Sequence, residues 1–169
     1  MFINSHLATG YLLYKLNIFE KKWFPIWILS AWIPDIDGFW SSSVVEHHSV
    51  LHTQIFWIVL CSLGWIIGHL QKNINIKTFF IILFIGTFAH LFTDYITART
   101  VGIKWLYPLN DVDYFLYPII PDNGNIPIWK MLVPPYLTFY FENKLLTAFE
   151  LLLNIFALVL YFFSLKKPN

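Results

Sequence analysis

Five stretches of this chain are almost without charge, and that pattern leaves few folds open. No Asp, Glu, Lys or Arg occurs in residues 1–14, 23–33, 47–71 or 78–93, and residues 145–165 are interrupted only by Glu150 and Asn154. Charged residues make up 12% of the 169-residue chain, against roughly 25% in a soluble domain. Such a chain has too few solvated side chains to coat a water-soluble surface. At about 1.5 Å per residue, the part of the third run after Thr53 is long enough to cross a ~30 Å hydrocarbon core with little slack. Residues 145–165 form the clearest span and are closed by Lys166-Lys167. The first two runs fall short of the ~17 residues a span needs, so they are expected to tilt, thin the bilayer or enter it part-way. Asn4 or Ser5 is the expected cap of the first helix. These features predict an all-α integral membrane bundle of about five helices, forming a single domain over residues 1–169. Its parts would be a helical core at 1–97, a segment at 98–143 without helical periodicity, and a C-terminal transmembrane helix at 145–165. The middle segment holds six of the nine prolines.

Composition and the N-terminal sequence add four constraints. The 17 Phe, nine Tyr and eight Trp suit aromatic belts at the two membrane interfaces. The lone Cys61 excludes an internal disulfide and reads as a packing residue. No basic n-region or small-residue cleavage site marks the first run, so a cleaved signal peptide is not expected. A net charge of +1 with no basic patch gives no reason to expect a nucleic-acid partner; the expected partner is the lipid bilayer.

Alternating the five helices across a membrane yields a topology. One side collects Lys15, Lys21, Lys22, Lys72, Lys77, Lys166 and Lys167 against Glu20 alone. The other holds Arg99, Lys104, Lys130 and Lys144 among eight acids. The positive-inside rule places the first side, with the C-terminus, in the cytoplasm. The same alternation gathers His6, Asp35, Asp37, His47, His52, His90 and Asp94 at the extracytoplasmic side, although none of them entered the hydropathy argument.

Ionisable groups beside hydrocarbon are expensive and mark function by default. Pro34-Asp35-Ile36-Asp37 is followed after nine residues by His47-His48-Ser49-Val50-Leu51-His52. Downstream comes His90-Leu91-Phe92-Thr93-Asp94, whose i,i+4 spacing puts His90 and Asp94 on one helix face. His48 and His52 share that spacing, whereas His47 and His52 need a break between them. Asp35 and Asp37 point the same way only if extended; helix capping after Pro34 is the structural alternative. Imidazole with carboxylate suits zinc, with manganese or iron as further options. A zinc ion takes about four protein groups. Seven candidate metal ligands (His6, Asp35, Asp37, His47, His52, His90 and Asp94) therefore point to two or more ions and to hydrolysis of a phosphoester or similar bond.

The order of these elements, with Thr97, Gly102 and Trp105-Leu106-Tyr107-Pro108 behind them, resembles the membrane-bound metal-dependent hydrolases. These are bacterial inner-membrane proteins, some of the LexA-binding type, once catalogued as a domain of unknown function. The resemblance covers roughly residues 1–108. It implies a metal-dependent hydrolase and selects His47 over His48 as a ligand. The family pattern His-Arg-Gly-x-Thr-His reads His47-His48-Ser49-Val50-Leu51-His52 here, without the arginine and threonine. More distantly, the His-x3-Asp helix is similar to the zinc-dependent phospholipase C and P1 nuclease group.

The expected mechanism is metal activation of water. Asp37 or Asp94 would take the proton, and Arg99, the single arginine, would hold a phosphate oxygen through its planar fork. The 98–143 segment would then cover the site as a lid or substrate rim. Two alternatives stand beside this reading: a metal-handling transporter or sensor, and a non-catalytic membrane scaffold that retains a metal site.

Overall fold

The structure is a computed structural model and describes residues 1–98, 100–116 and 125–165. Its helices are α1 (Ile3–Lys15), α2 (Phe24–Ser30), α3 (Val44–His47), α4 (Gln54–Leu70), α5 (Ile74–Thr97), α6 (Tyr136–Glu142) and α7 (Lys144–Leu165). Among the described residues no strand forms; Ile103 and Tyr114 make one isolated bridge. The five uncharged runs correspond to α1, α2, α4, α5 and α7. Two short helices, α3 and α6, join them, and a 3-10 turn at Ile128–Leu132 precedes α6. The 98–143 segment is therefore partly helical, because 136–142 gains a turn too short to leave a periodic signature.

α5 is the central helix and packs against α4, α2 and α1. It is longer than the apolar run at both ends. Asn73 caps its start by accepting hydrogen bonds from the Asn75 and Ile76 amides, which draws Ile74 to Lys77 out of the expected polar turn and into the helix. Trp57, Cys61, Leu83, Leu91 and Ile103 form the buried apolar cluster between α4 and α5. α5 and α7 are long and apolar enough to cross a membrane, and the 17-residue α4 sits at the lower limit. The outward faces of α4 and α7 are apolar, with Leu63, Ile67, Leu152 and Phe156 each half or more exposed. That is a lipid-facing surface rather than a water-facing one.

Small residues set how closely α2 approaches its neighbours. A Cβ on Gly10 of α1 would lie 2.6 Å from the Trp27 carbonyl, and one on Gly86 of α5 would lie 1.8 Å from Ser30 Oγ. Each contact requires glycine, so α2 is wedged between α1 and α5 at backbone distance, the usual device where lipid offers no hydrophobic drive to helix association.

α7 lies apart from this core and packs mainly on α1. Asn4 and Ser5 do not cap α1, whose cap position is Phe2 and has no side-chain bond. Instead they face α7. Ser5 Oγ donates to Glu150 Oε2 at 2.9 Å, Asn154 Nδ2 donates to Ser5 Oγ at 2.7 Å, and Asn4 Nδ2 donates to Asn154 Oδ1 at 3.1 Å. Glu150, 2% exposed, also accepts from the Phe2 amide. Polar side chains joined this way hold helices together inside a bilayer.

Candidate metal centre

The start of α1, the end of α2, the start of α4 and the end of α5 meet at one end of the bundle, and the titratable residues come with them. His6 sits on the first turn of α1. Asp35 and Asp37 lie on a 3-10 turn, Ile33–Phe39, that follows α2. They are not extended, yet both reach the cluster because imidazoles approach the turn from different sides. His47 ends α3 and His52 ends a second 3-10 turn, Val50–His52. The chain breaks at His48 and Ser49, supplying the break that His47 and His52 need. His90 and Asp94 project from the last third of α5, and both are buried.

Asp35 is the hub. Its Oδ1 lies 3.3 Å from His47 Nε2, 3.5 Å from His52 Nε2 and 3.5 Å from His90 Nε2, and its Oδ2 lies 3.6 Å from His6 Nε2. Asp94 faces the same nitrogens: Oδ1 is 3.2 Å from His6 Nε2, and Oδ2 is 3.0 Å from His90 Nε2 and 3.7 Å from His52 Nε2. The Met1 α-amino group also donates to Asp94 Oδ1 at 2.7 Å.

The Nδ1 atoms of His90, His47 and His52 point away from this centre toward oxygen atoms. His90 Nδ1 donates to the Ala31 carbonyl at 2.9 Å. His47 Nδ1 meets Asp37 Oδ1 at 2.5 Å, and His52 Nδ1 faces Asp37 Oδ2 at 3.5 Å. Asp37 thus stands behind two imidazoles on their Nδ1 side. An acceptor on Nδ1 turns the Nε2 lone pair inward, the arrangement by which outer carboxylates and carbonyls orient metal-binding histidines.

These distances suit a metal. One ligand atom each from His6, Asp35, His90 and Asp94 falls within a 4.8 Å sphere of separations, and the same holds for His47, His48 and His52. Four ligands at ~2.05 Å around tetrahedral zinc stand about 3.3 Å apart. The four nitrogen–oxygen separations that link His6 and His90 to the two carboxylates run from 3.0 to 3.6 Å. Both nitrogens of the fully buried His6 lack a hydrogen-bond partner, as do Asp37 Oδ2 and His52 Nδ1. Orphaned polar atoms cost about 1–3 kcal/mol each inside a protein, and a cation held by His6, Asp35, His90 and Asp94 would give His6 Nε2 a partner.

Charge balance at the loop-borne residues agrees. Burial opposes the charge of Asp35, but the His90 imidazole and hydrogen bonds from His47 and His52 hold its carboxyl well below the usual range. Burial likewise opposes a proton on His52, yet the Asp35 and Asp37 carboxylates lift it to about 9. Without metal, protons on imidazoles balance the carboxylates.

His48 went unselected in the sequence, yet it joins this cluster. Its Nδ1 contacts the Gly102 carbonyl at 3.3 Å, and its ring stacks on His52 at 4.7 Å. Burial, followed by the neighbouring His52 and His47, pushes it well below the ordinary histidine value, so it is neutral and able to ligate. Arg99, Asp122 and the terminal Lys166-Lys167 pair lie outside the described residues. Asp111 pairs with Lys104 on an exposed loop, as expected of a solvated segment.

Comparison with known families supplies the membrane context. The model of the YdjM inner membrane protein family matches residues 1–168. The chain belongs to that family. Neither a curated protein nor a solved structure matches it. Membership carries the inner-membrane assignment, and every residue of the cluster falls within the span matched to the YdjM family. The likeness to zinc-dependent phospholipase C and P1 nuclease found no counterpart in either comparison.

Proposed function

We propose that the protein is a membrane-embedded, metal-dependent hydrolase of phosphoesters, lipid headgroups included, working at the extracytoplasmic face of the inner membrane. The observation that carries this reading is the convergence of the His6, His47, His52 and His90 Nε2 atoms on Asp35, at the polar end of a cavity. His6, Asp35, His90 and Asp94 would hold one ion, and His47, His52 and His48 a second, with Asp35 between them. Zinc is the first choice for this donor set. The ions, when bound, supply a water of lowered pKa and polarise the phosphoryl oxygen.

The chain's own residues do the rest. Asp37 fixes the His47 and His52 rings through Nδ1. Asp94, where it is not fully engaged as a ligand, accepts the proton that water loses. The water oxygen forms a new bond to phosphorus as the ester P–O bond breaks, and the departing alcohol takes the proton back from Asp94. Arg99 would steady a phosphate oxygen. The positive-inside count supports the extracytoplasmic placement and a cytoplasmic C-terminus.

Elemental analysis of detergent-purified protein is the direct test, with wild type beside His90→Ala and Asp35→Ala. Two or more zinc or manganese equivalents, lost in both variants, is the expected result. Well-folded protein that stays metal-free after add-back would end the hydrolase reading.

A further inference from the structure

A cavity of about 310 Å³ opens directly over the cluster. Asp35, His47, His48 and Asp94 line its polar end, while the remaining walls are almost wholly apolar. Those walls come from Met1, Phe2 and Ile3, from Trp32 and Phe39, and from Ile128, Met131 and Leu132. The last three belong to the 98–143 segment, held in place where the Val44 amide donates to the Ile126 carbonyl at 2.9 Å. Beyond the polar end, the Trp32 indole N–H is the one unpartnered side-chain donor among the described wall residues, so the walls offer little to the several hydroxyls and ring nitrogens of a nucleotide or sugar phosphate. The geometry fits a ligand with a charged group at one end and hydrocarbon at the other.

The depth of the site agrees. α5 has 24 residues, about 36 Å, against a ~30 Å hydrocarbon core. Centred in the core, it overshoots each face by ~3 Å. His90 then lies ~7 Å below the hydrocarbon boundary and Asp94 ~2 Å below it. Asp94 is thus close to the level at which a phospholipid passes from acyl chain to headgroup, with His90 deeper among the acyl chains. Around the mouth Phe39, Trp40, Trp129 and Leu132 are 79%, 68%, 61% and 58% exposed, and Lys130 Nζ lies over the Trp129 ring. Exposed aromatics with a lysine at their edge form an interfacial anchor.

We infer that the site draws its ligand laterally from the bilayer: a membrane phospholipid whose acyl chain lies along Phe39 and Ile128–Leu132 while its phosphate faces Asp35 and His47. The inference rests on the metal-site reading for the phosphate end; the apolar end stands on the cavity alone.

The test uses full-length protein in vesicles of phosphatidylcholine and phosphatidylglycerol, with a trace of phosphatidylglycerol carrying a photoactivatable diazirine in its acyl chain. Val44 lines the cavity and is 5% exposed, so carbene insertion there reports entry rather than the annular lipid that coats α4 and α7. The expected result is labelling at Val44 and Ile128, reduced at least fivefold in Met131→Trp and in the more exposed Leu132→Trp, and absent with a diazirine diacylglycerol that has no phosphate. Labelling confined to the outer faces of α4 and α7, or equal labelling by diacylglycerol, overturns it. Hydrolysis of lipid and of soluble bis(p-nitrophenyl) phosphate is measured alongside with zinc or manganese. Cavity labelling without turnover of either compound keeps the lipid site and removes the hydrolase. Soluble turnover without cavity labelling removes the lipid site and keeps the hydrolase.

Discussion

Two polar clusters lie within this bundle, and both are anchored on the first turn of α1. One gathers Ser5, Asn4, Glu150 and Asn154 between α1 and α7; the other gathers the histidines and aspartates one residue further on, from His6. In the first, donors match acceptors: hydroxyl, amides and carboxylate pair with one another at 2.7 to 3.2 Å, leaving Glu150 Oε1 as its one orphan among the described atoms. In the second, three carboxylates and five imidazoles face one another, and four nitrogen and oxygen atoms have no hydrogen-bond partner. The first network is closed by its own hydrogen bonds. The second leaves ligand atoms open, which is where the proposed cations would sit. Donor–acceptor balance, more than burial or polarity, separates the closed structural cluster from the candidate metal site.

The sharpest way to break that distinction is to remove charge without changing shape. Asp35→Asn keeps the size of the hub but replaces one anionic oxygen by an amide that donates. Four imidazoles lose their shared anion, so metal content is expected to fall to background, as in His90→Ala. Glu150→Gln is the matched control. Its amide oxygen still accepts from Ser5 and the Phe2 amide, so metal content and thermal stability should stay near wild type. Glu150→Ala instead strands the Ser5 hydroxyl and the Phe2 N–H, at a cost of about 1–3 kcal/mol, read as a lower melting temperature in detergent. Should Glu150→Gln lose metal as Asp35→Asn does, the two clusters are a single site and the distinction fails.

Acidity separates the clusters by sign. The metal-free folded state holds a proton on His52 to about pH 9, above the ordinary 6.5. A raised folded-state value stabilises the apo protein fully below pH 6.5 and loses that contribution as pH climbs through 9. Metal affinity runs the other way, because binding must displace that proton. Between pH 6.5 and 8.5 apparent affinity should therefore rise by up to about tenfold per pH unit for each proton released, with proton uptake by buffers of different ionisation enthalpy as the calorimetric check. A flat affinity across that window would mean His52 is not displaced by metal.

How far the sequence revealed this differs by element. The uncharged runs marked α1, α2, α4, α5 and α7, because a lipid-facing helix must be apolar for its whole length. His90 and Asp94 were legible from helical spacing alone. Asp35 and Asp37 were found but not their geometry, since a 3-10 turn after Pro34 has no residue pattern that sets it apart from an extended dipeptide. Asn4 and Ser5 read as caps because the partners that claim them, Asn154 and Glu150, lie 150 and 145 residues further along the chain. The 98–143 segment was expected over the site, but which of its residues would form the wall, Ile128, Met131 and Leu132, was not. Apolar residues in a proline-rich loop show no periodicity, and only the backbone bond from Val44 to Ile126 brings them over the cluster.

His48 offers the finest test, because its contribution is the least constrained. It touches the cluster through the second group of imidazoles, with His47 and His52, and none of its contacts reaches Asp35 closely enough to be an ion pair. Neutral, with Nδ1 held by the Gly102 carbonyl, it either completes a second ion or merely stacks on His52. His48→Ala should leave the ion held by His6, Asp35, His90 and Asp94 untouched and weaken the other, by about 10–100-fold if it acts as an outer-shell support does. Titrating apo protein with zinc would then show one tight site unchanged and one weakened. His48→Phe keeps the stacking surface but cannot ligate, so it decides between the two roles. If Phe restores the second site, His48 serves by packing; if Phe matches Ala, His48 binds metal through Nε2, and the position that carries arginine in the hydrolase pattern has here become a ligand.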